Sequence, residues 1–229
     1  MLFSETLASL QPRDGGWRAV IGEDWSQGRA TFGGMVSALC NEAMRRLVPA
    51  DRALRGLDTT FVGPALAGEV DIDAGVLRVG KAVTIARAKL WSDGKIAATL
   101  TGIYGASRAA SLSIAPTVAA GVRPALEFPE RDGADIGGPS FVRHFGYRWA
   151  EGAPPFAGSS LRTAKIYIRH KDPAPLTESH VVAPRCGGQF CRERIFLRIL
   201  RFDRPHGCSR GGRPPNGGGV WLKSCAAIS

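Results

Sequence analysis

The first candidates for chemistry in this chain are the backbone amides near Thr31, Gly33 and Gly34. These residues open the segment TFGGMVSALCNEAMRRL, in which Val36, Leu39, Cys40, Ala43 and Leu47 recur at helical spacing and Ser37, Asn41, Glu42, Arg45 and Arg46 fall on the other side. A helix that begins there has first-turn N–H groups with no carbonyl to bind, and two glycines leave them unshielded. Thr31 is placed to cap them. Such a helix start receives an anion, or the oxyanion that forms when a carbonyl is attacked, so the amides of Gly33 and Gly34 are candidate catalytic groups. A core helix with a glycine-rich entry accounts for the same residues.

Other chemistry-bearing residues fit their motifs less well. Glu42 has the chemistry of a catalytic acid, but Arg45 and Arg46 lie within one turn, and pairing with them on a solvated face is the favoured reading. Gly207-Cys208-Ser209-Arg210-Gly211 matches the G-x-S-x-G string without the strand before it or the helix after it that a nucleophile elbow requires. Gly75 to Lys81 has the spacing of a phosphate loop, but Ala82 stands where Ser or Thr is needed, and the segment reads as a turn between strands. Cys186, Cys191, His206, Cys208 and Cys225 can be drawn as a zinc site, with spacings of no familiar finger. His144, His170 and His180 have no partner identifiable from sequence.

The elements that position the glycines follow from periodicity. Asp14-Gly15-Gly16 is a turn, and Trp17 to Ile21 has strand composition. The helix of Thr31 to Leu47 ends before Pro49. Strands are expected at Leu57 to Val62, Glu69 to Arg78, Ala82 to Trp91 and Lys95 to Tyr104, the last two joined by an Asp93-Gly94 hairpin turn. A helix followed by an antiparallel meander buries both apolar faces only if the sheet wraps the helix. Residues 105–138, rich in Ala, Ser, Pro and Gly, read as a linker. Phe141 to Trp149 and Arg162 to Arg169 read as strands, and Leu176 to Ala183 as the start of a helix with Thr177 as its cap. The order echoes the first unit, as two copies of one fold would.

Of 229 residues with a formal charge of +10, nine of the thirty basic side chains and two of the twenty acidic ones follow Ala183, a net +7 that leaves +3 for residues 1–183. A near-neutral body gives no polyanion partner. The arginines of the tail lack interleaved aromatics, so specific nucleic-acid binding is not expected and non-specific attraction is the alternative. The N-terminus has no secretory pattern and no stretch approaches a membrane span, so a cytoplasmic, reducing setting is expected, with Cys40 a small buried hydrophobe.

FGGMVSALCNEAMRRLVPADRALRGLDTTFVGPALAGEV, followed by LRVGKAVTIARAKLWSDGKIAATLTGIYG, resembles the N-terminal half of the acyl-CoA thioesterase II type, the double hot-dog thioesterases. The resemblance rests on Phe32-Gly33-Gly34 opening the helix, Phe61 with Pro64 closing the next strand, the Leu77-Arg78-x-Gly80-Lys81 turn and Asp93-Gly94-Lys95. Phe141 to Ala183, with TESHVVA, looks like the opening of that family's second hot-dog. What this implies is an α+β hot-dog fold, a long central helix wrapped by antiparallel sheet, in a double arrangement with the second copy incomplete. Residues 1–105 would be the first hot-dog, 106–138 the linker, 139–183 the start of the second, and 184–229 an aberrant or disordered basic tail. The resemblance also implies an acyl-CoA substrate, hydrolysis to free acid and CoA, and no metal or organic cofactor. Its chemistry uses an acid near the start of the second helix, with a hydroxyl residue and a Gln from later in that domain.

After Ala183 the chain departs from that pattern. Pro184-Arg185-Cys186-Gly187-Gly188 stands where the helix should continue toward its acid, and a proline there costs about 3 kcal/mol in an established helix. No residue is matched to the acid, the hydroxyl or the Gln. Composition, charge and cysteine count change at the same point, so the tail reads as out-of-frame translation of a GC-rich gene, with a genuine basic tail as the rival. Hydrolase activity and non-catalytic acyl-CoA binding or scaffolding are both open on this reading. A half-built second domain exposes sheet edges, so poor solubility or a homo-oligomer is expected.

Overall fold

The computed structural model describes residues 1–109, 123–153, 163–186, 195–198 and 222–227. The chain starts with α1 (Phe3–Ala8), β1 (Gln11–Arg13) and β2 (Gly16–Ile21), passes a 3-10 turn at Glu23–Trp25 and the small hairpin β3 (Ser26–Gln27) and β4 (Ala30–Thr31), and enters α2 (Gly33–Arg45). Then come β5 (Arg52–Phe61), β6 (Gly68–Val79), β7 (Val83–Ser92) and β8 (Lys95–Ala106). These strands form an antiparallel sheet in the order β1-β2-β6-β7-β8-β5, and the expected wrapping is what they do: Val70 and Ile72, Ala86, Ala88 and Leu90, Leu100 and Tyr104, and Leu54 and Leu57 are buried. Register places small beside large across the strands, with Ala88 opposite Leu100 and Leu90 opposite Ala98. Asp93 and Gly94 both have positive φ, 50° and 68°, as the two-residue turn between β7 and β8 demands.

Three expectations for the helix are corrected. Ser37 and Asn41 do not face solvent; both are fully buried, because a second helix covers the side of α2 that the sheet leaves open. Leu47 lies beyond the helix end at Arg45 and is 39% exposed. Arg45 does not pair with Glu42 but donates to the carbonyls of Val48, Pro49 and Arg52, closing the helix C-terminus; Arg46 is the arginine beside Glu42, at 3.8 Å.

The second unit contains β9 (Arg131–Asp132), α3 (Gly133–Ile136), β10 (Phe145–Glu151), β11 (Thr163–His170) and α4 (Glu178–Cys186). β9 and α3 fall inside the stretch expected to be a linker. Phe141 to His144 form a 3-10 turn rather than the start of a strand, which buries Phe141 and Val142 side by side against the first unit. Within residues 184–229, β12 (Ile195–Arg198) pairs with β5 at the edge of the first sheet, and β13 (Leu222–Ala227) pairs with β11 in a four-stranded sheet ordered β13-β11-β10-β9. The Gly207 to Gly211 string and the Cys191, His206 and Cys208 members of the zinc drawing lie outside the described residues, among which no metal-ligand cluster occurs. No helix among the described residues is long and apolar enough to cross a membrane.

Helix α4 contains Pro184 and continues to Cys186. Proline has no N–H for the carbonyl four residues back, which here belongs to His180. That carbonyl accepts instead from His170 Nε2 at 2.8 Å. A ring from β11 thus replaces the helical bond that Pro184 removes, and this is why the helix does not stop at Ala183. The His170→Phe variant should lose about 1–2 kcal/mol through the orphaned carbonyl, and adding Pro184→Ala should recover part of it by restoring the amide donor. Additive losses in a denaturant double-mutant cycle would refute this coupling.

Candidate functional site

The site is built around the first turn of α2. Phe32 precedes it with a non-helical backbone, φ −49° and ψ 121°, and its carbonyl accepts from Met35 N at 2.9 Å and Val36 N at 3.3 Å. The amides of Gly33 and Gly34 have no acceptor among the described residues. Thr31 is not the cap. It belongs to β4, its own amide donates to the Ala65 carbonyl at 2.7 Å, and its buried hydroxyl has no partner among the described residues. Phe32 N donates to the Trp25 carbonyl at 2.8 Å, so the approach to the helix is tied on both sides.

What surrounds these amides explains the glycines. A Cβ on Gly33 would lie 2.8 Å from Phe61 Cζ, and one on Gly34 would collide with the Ala183 carbonyl oxygen of α4 and with the Phe32 ring. Phe32 in turn stacks on Phe141 with ring centroids 4.0 Å apart. Gly34 therefore lies where the first unit meets the second. The two helices run antiparallel, since Gly34 meets Ala183 while Asn41 Nδ2 donates to Ser179 Oγ at 3.0 Å. That direction brings the α4 turn after Ala183 alongside the first turn of α2. The residues there are Pro184, Arg185 and Cys186, none of them an acid.

Further along the junction runs a polar chain that sequence reasoning missed. Tyr104 O–H donates to Asn41 Oδ1 at 2.9 Å, and Ser179 Oγ, which accepts from Asn41, donates to Glu42 Oε2 at 3.2 Å. Glu178 Oε1 accepts from Leu54 N at 2.9 Å. Burial, with the Glu178 carboxylate nearby, pushes the Tyr104 phenol above its ordinary range, so it stays a donor at any working pH. These residues are 63 to 138 positions apart in the chain, and no local pattern marks them. Tyr104→Phe should cost about 1–2 kcal/mol by leaving Asn41 Oδ1 buried and unpaired, as measured by denaturant unfolding.

The three histidines are brought together beside α1. His144 stacks on Trp25 at 3.8 Å, and Phe3 packs against His170 at 4.7 Å and His180 at 4.6 Å. His180 Nδ1 accepts from Thr177 N at 3.1 Å and lies 2.9 Å from Thr177 Oγ1, so the imidazole does at the start of α4 what a glutamate does in a capping box. Thr177 is thus involved in the cap as expected, with His180 as its partner.

No curated protein matches the chain in sequence. Residues 21–105 match the family model of the acyl-CoA thioesterase N-terminal domain. The solved structures place the fold. A hot-dog protein of Alicyclobacillus acidocaldarius superposes with a TM-score of 0.68 at 20% identity, over 80% of this chain and 67% of that one. A protein of Thermobifida fusca YX assigned as a thioesterase II gives 0.66 at 14%, over 81% and 72%. The acyl-CoA thioesterase II TesB2 of Mycobacterium marinum gives 0.56 at 15%, over 79% and 65%. At these identities the likeness is one of fold. The chain has a hot-dog fold, and a double arrangement accounts for two helices packed against each other, each served by its own sheet.

Proposed function

We propose that this acyl-CoA thioesterase-like chain binds an acyl-CoA at the junction of its two units and hydrolyses the thioester to free acid and CoA. The observation that carries the reading is the pair of unsatisfied amides at Gly33 and Gly34, held rigidly where α4 crosses α2. A thioester carbonyl seated there becomes more electrophilic. When water adds to its carbon and gives up a proton to solvent, the carbonyl electrons pass to an oxygen that two N–H donors stabilise, and collapse expels the CoA thiolate, which takes up a proton from solvent. Each such donor is worth about 10²–10³ in rate where the site is preorganised. No metal or organic cofactor is required by this chemistry.

One observation favours a second reading, binding without turnover: the chain after Ala183 reads Pro184-Arg185-Cys186, with no acid where the resemblance calls for one. Release of CoA from a panel of acyl-CoAs, followed with a thiol reagent against a protein-only blank, separates the two. Cys40 does not interfere, being fully buried with its thiol pushed far up by that burial. Hydrolysis above background supports the hydrolase, saturable binding without hydrolysis supports the scaffold, and neither binding nor hydrolysis rejects both.

A further inference from the structure

The proposed site has an apolar side that nothing described so far uses. Leu57, Thr59 and Phe61 share one face of β5, turned toward α2. The first two are buried, but α2 begins at Gly33 and leaves Phe61 uncovered, 42% exposed, with Val62 at 59% and Leu66 at 42% continuing from it. This strip does not belong to a loose loop. Val62 N and Gly63 N donate to the Ala97 carbonyl at 2.8 and 3.1 Å, Leu66 N donates to Ser92 Oγ at 2.9 Å, and the Ala65 carbonyl accepts from Thr31 N. The last bond fixes the strip to the lead into α2, so apolar wall and free amides form one rigid frame.

Polar groups left without partners lie beside the same frame. Ser37 follows Gly33 by one helical turn, and Thr59 precedes Phe61, the residue that Gly33 meets, by one strand repeat. Both are buried, at 0% and 2% exposure, and neither hydroxyl has a hydrogen-bond partner among the described residues. Buried hydroxyls are rarely left unpaired. Two free amides at one end of an exposed apolar strip, with Phe61 against Gly33, call for a molecule with a polar carbonyl joined to an apolar chain.

We infer that the strip of Phe61, Val62 and Leu66 is the wall that receives the acyl chain, and that Phe61 determines which chains are accepted. The inference rests on the function proposed above and adds the orientation: carbonyl oxygen toward Gly33 and Gly34, acyl chain out along β5 and the following loop, CoA on the other side. A chain lying half-buried on this wall should tighten binding about twofold per methylene, against roughly fourfold for full burial.

The test measures affinities of desulfo-CoA and of acetyl-, hexanoyl-, octanoyl- and decanoyl-CoA for the full chain and for Phe61→Ala and Val62→Asp, with thermal melts confirming that these exposed substitutions leave the fold intact. The expected result is a length dependence in the wild type that flattens in both variants while desulfo-CoA affinity stays the same. An unchanged length dependence in the variants overturns the inference. So does an equal loss for desulfo-CoA, which would put the pantetheine arm on the wall, and so does a dimer of the wild type that Val62→Asp splits, which would put a second copy there. Binding of CoA and acyl-CoAs with no dependence on length rejects the wall alone; absence of any binding rejects the proposed function with it.

Discussion

Gly34→Ala should lower the melting temperature by about 10 °C, the equivalent of roughly 3 kcal/mol in a chain of this size. The cost does not come from the helix, where alanine is the better residue by about 1 kcal/mol. It comes from the new methyl, which would occupy space held by the Ala183 carbonyl of α4 and lie 2.5 Å from the Phe32 ring. Neither can give way cheaply: one is backbone of a packed helix, and the other is stacked on Phe141. Gly33→Ala is the control. Its methyl meets only the edge of Phe61, a half-exposed ring free to swing, so stability should change by less than about 1 kcal/mol. Equal melting temperatures for the two variants would show that α4 does not pack on α2 as described.

Acidification should produce the second large effect, a loss of about 3 kcal/mol between pH 6.5 and 4 from His170 alone, with further loss from His144 and His180. Burial pushes the His170 imidazole from 6.5 down to about 4, a nearby His180 adding to the shift while the bond to the His180 carbonyl and the Asp172 carboxylate oppose it. Burial lowers His180 and His144 too, against Asp172 and Asp24 respectively. A depressed folded-state value means that the unfolded chain binds the proton first. Stability is therefore full above pH 6.5, falls as pH drops below it, and levels off once the folded ring is itself protonated near 4. Geometry gives the same sign for His180, whose Nδ1 must keep its lone pair to accept from Thr177 N. The carboxylates held below their ordinary range, Asp71 and Asp132 by ion-paired partners and Asp172 by the Ser4 and Ala174 amides against the cost of its burial, titrate lower still and leave this window to the histidines. Urea unfolding at half-unit pH steps, repeated with His170→Asn, should show the slope reduced in the variant; an unchanged slope would exclude His170 as its source.

The first unit was legible because its information is local. Alternation along Glu69 to Arg78 and Ala82 to Trp91 fixes which side chains face the helix, and Asp93-Gly94 fixes the register of the hairpin between β7 and β8. The glycines at the helix start were legible as unshielded amides, though their spatial reason, Phe61 on one and Ala183 on the other, was not. Ser37 and Asn41 were misplaced because helical spacing identifies a polar side without saying whether another helix will cover it. The missing N–H of Pro184 predicts a helix stop, whereas the donor that compensates comes from His170, fourteen residues earlier on another element. The histidine cluster and the Tyr104–Asn41–Ser179 chain depend wholly on tertiary contacts. β12 and β13 pair along existing edges of β5 and β11, so their strand structure comes from the partner more than from their own periodicity.

The most direct test of the site follows the backbone amides of Gly33 and Gly34 by ¹⁵N NMR during titration with a non-hydrolysable acyl-CoA ketone analogue. Hydrogen bonding of its carbonyl to the first turn of α2 predicts saturable downfield proton shifts and slowed solvent exchange at these two amides. Saturating ligand that leaves both amides unmoved while resonances elsewhere shift would contradict the account.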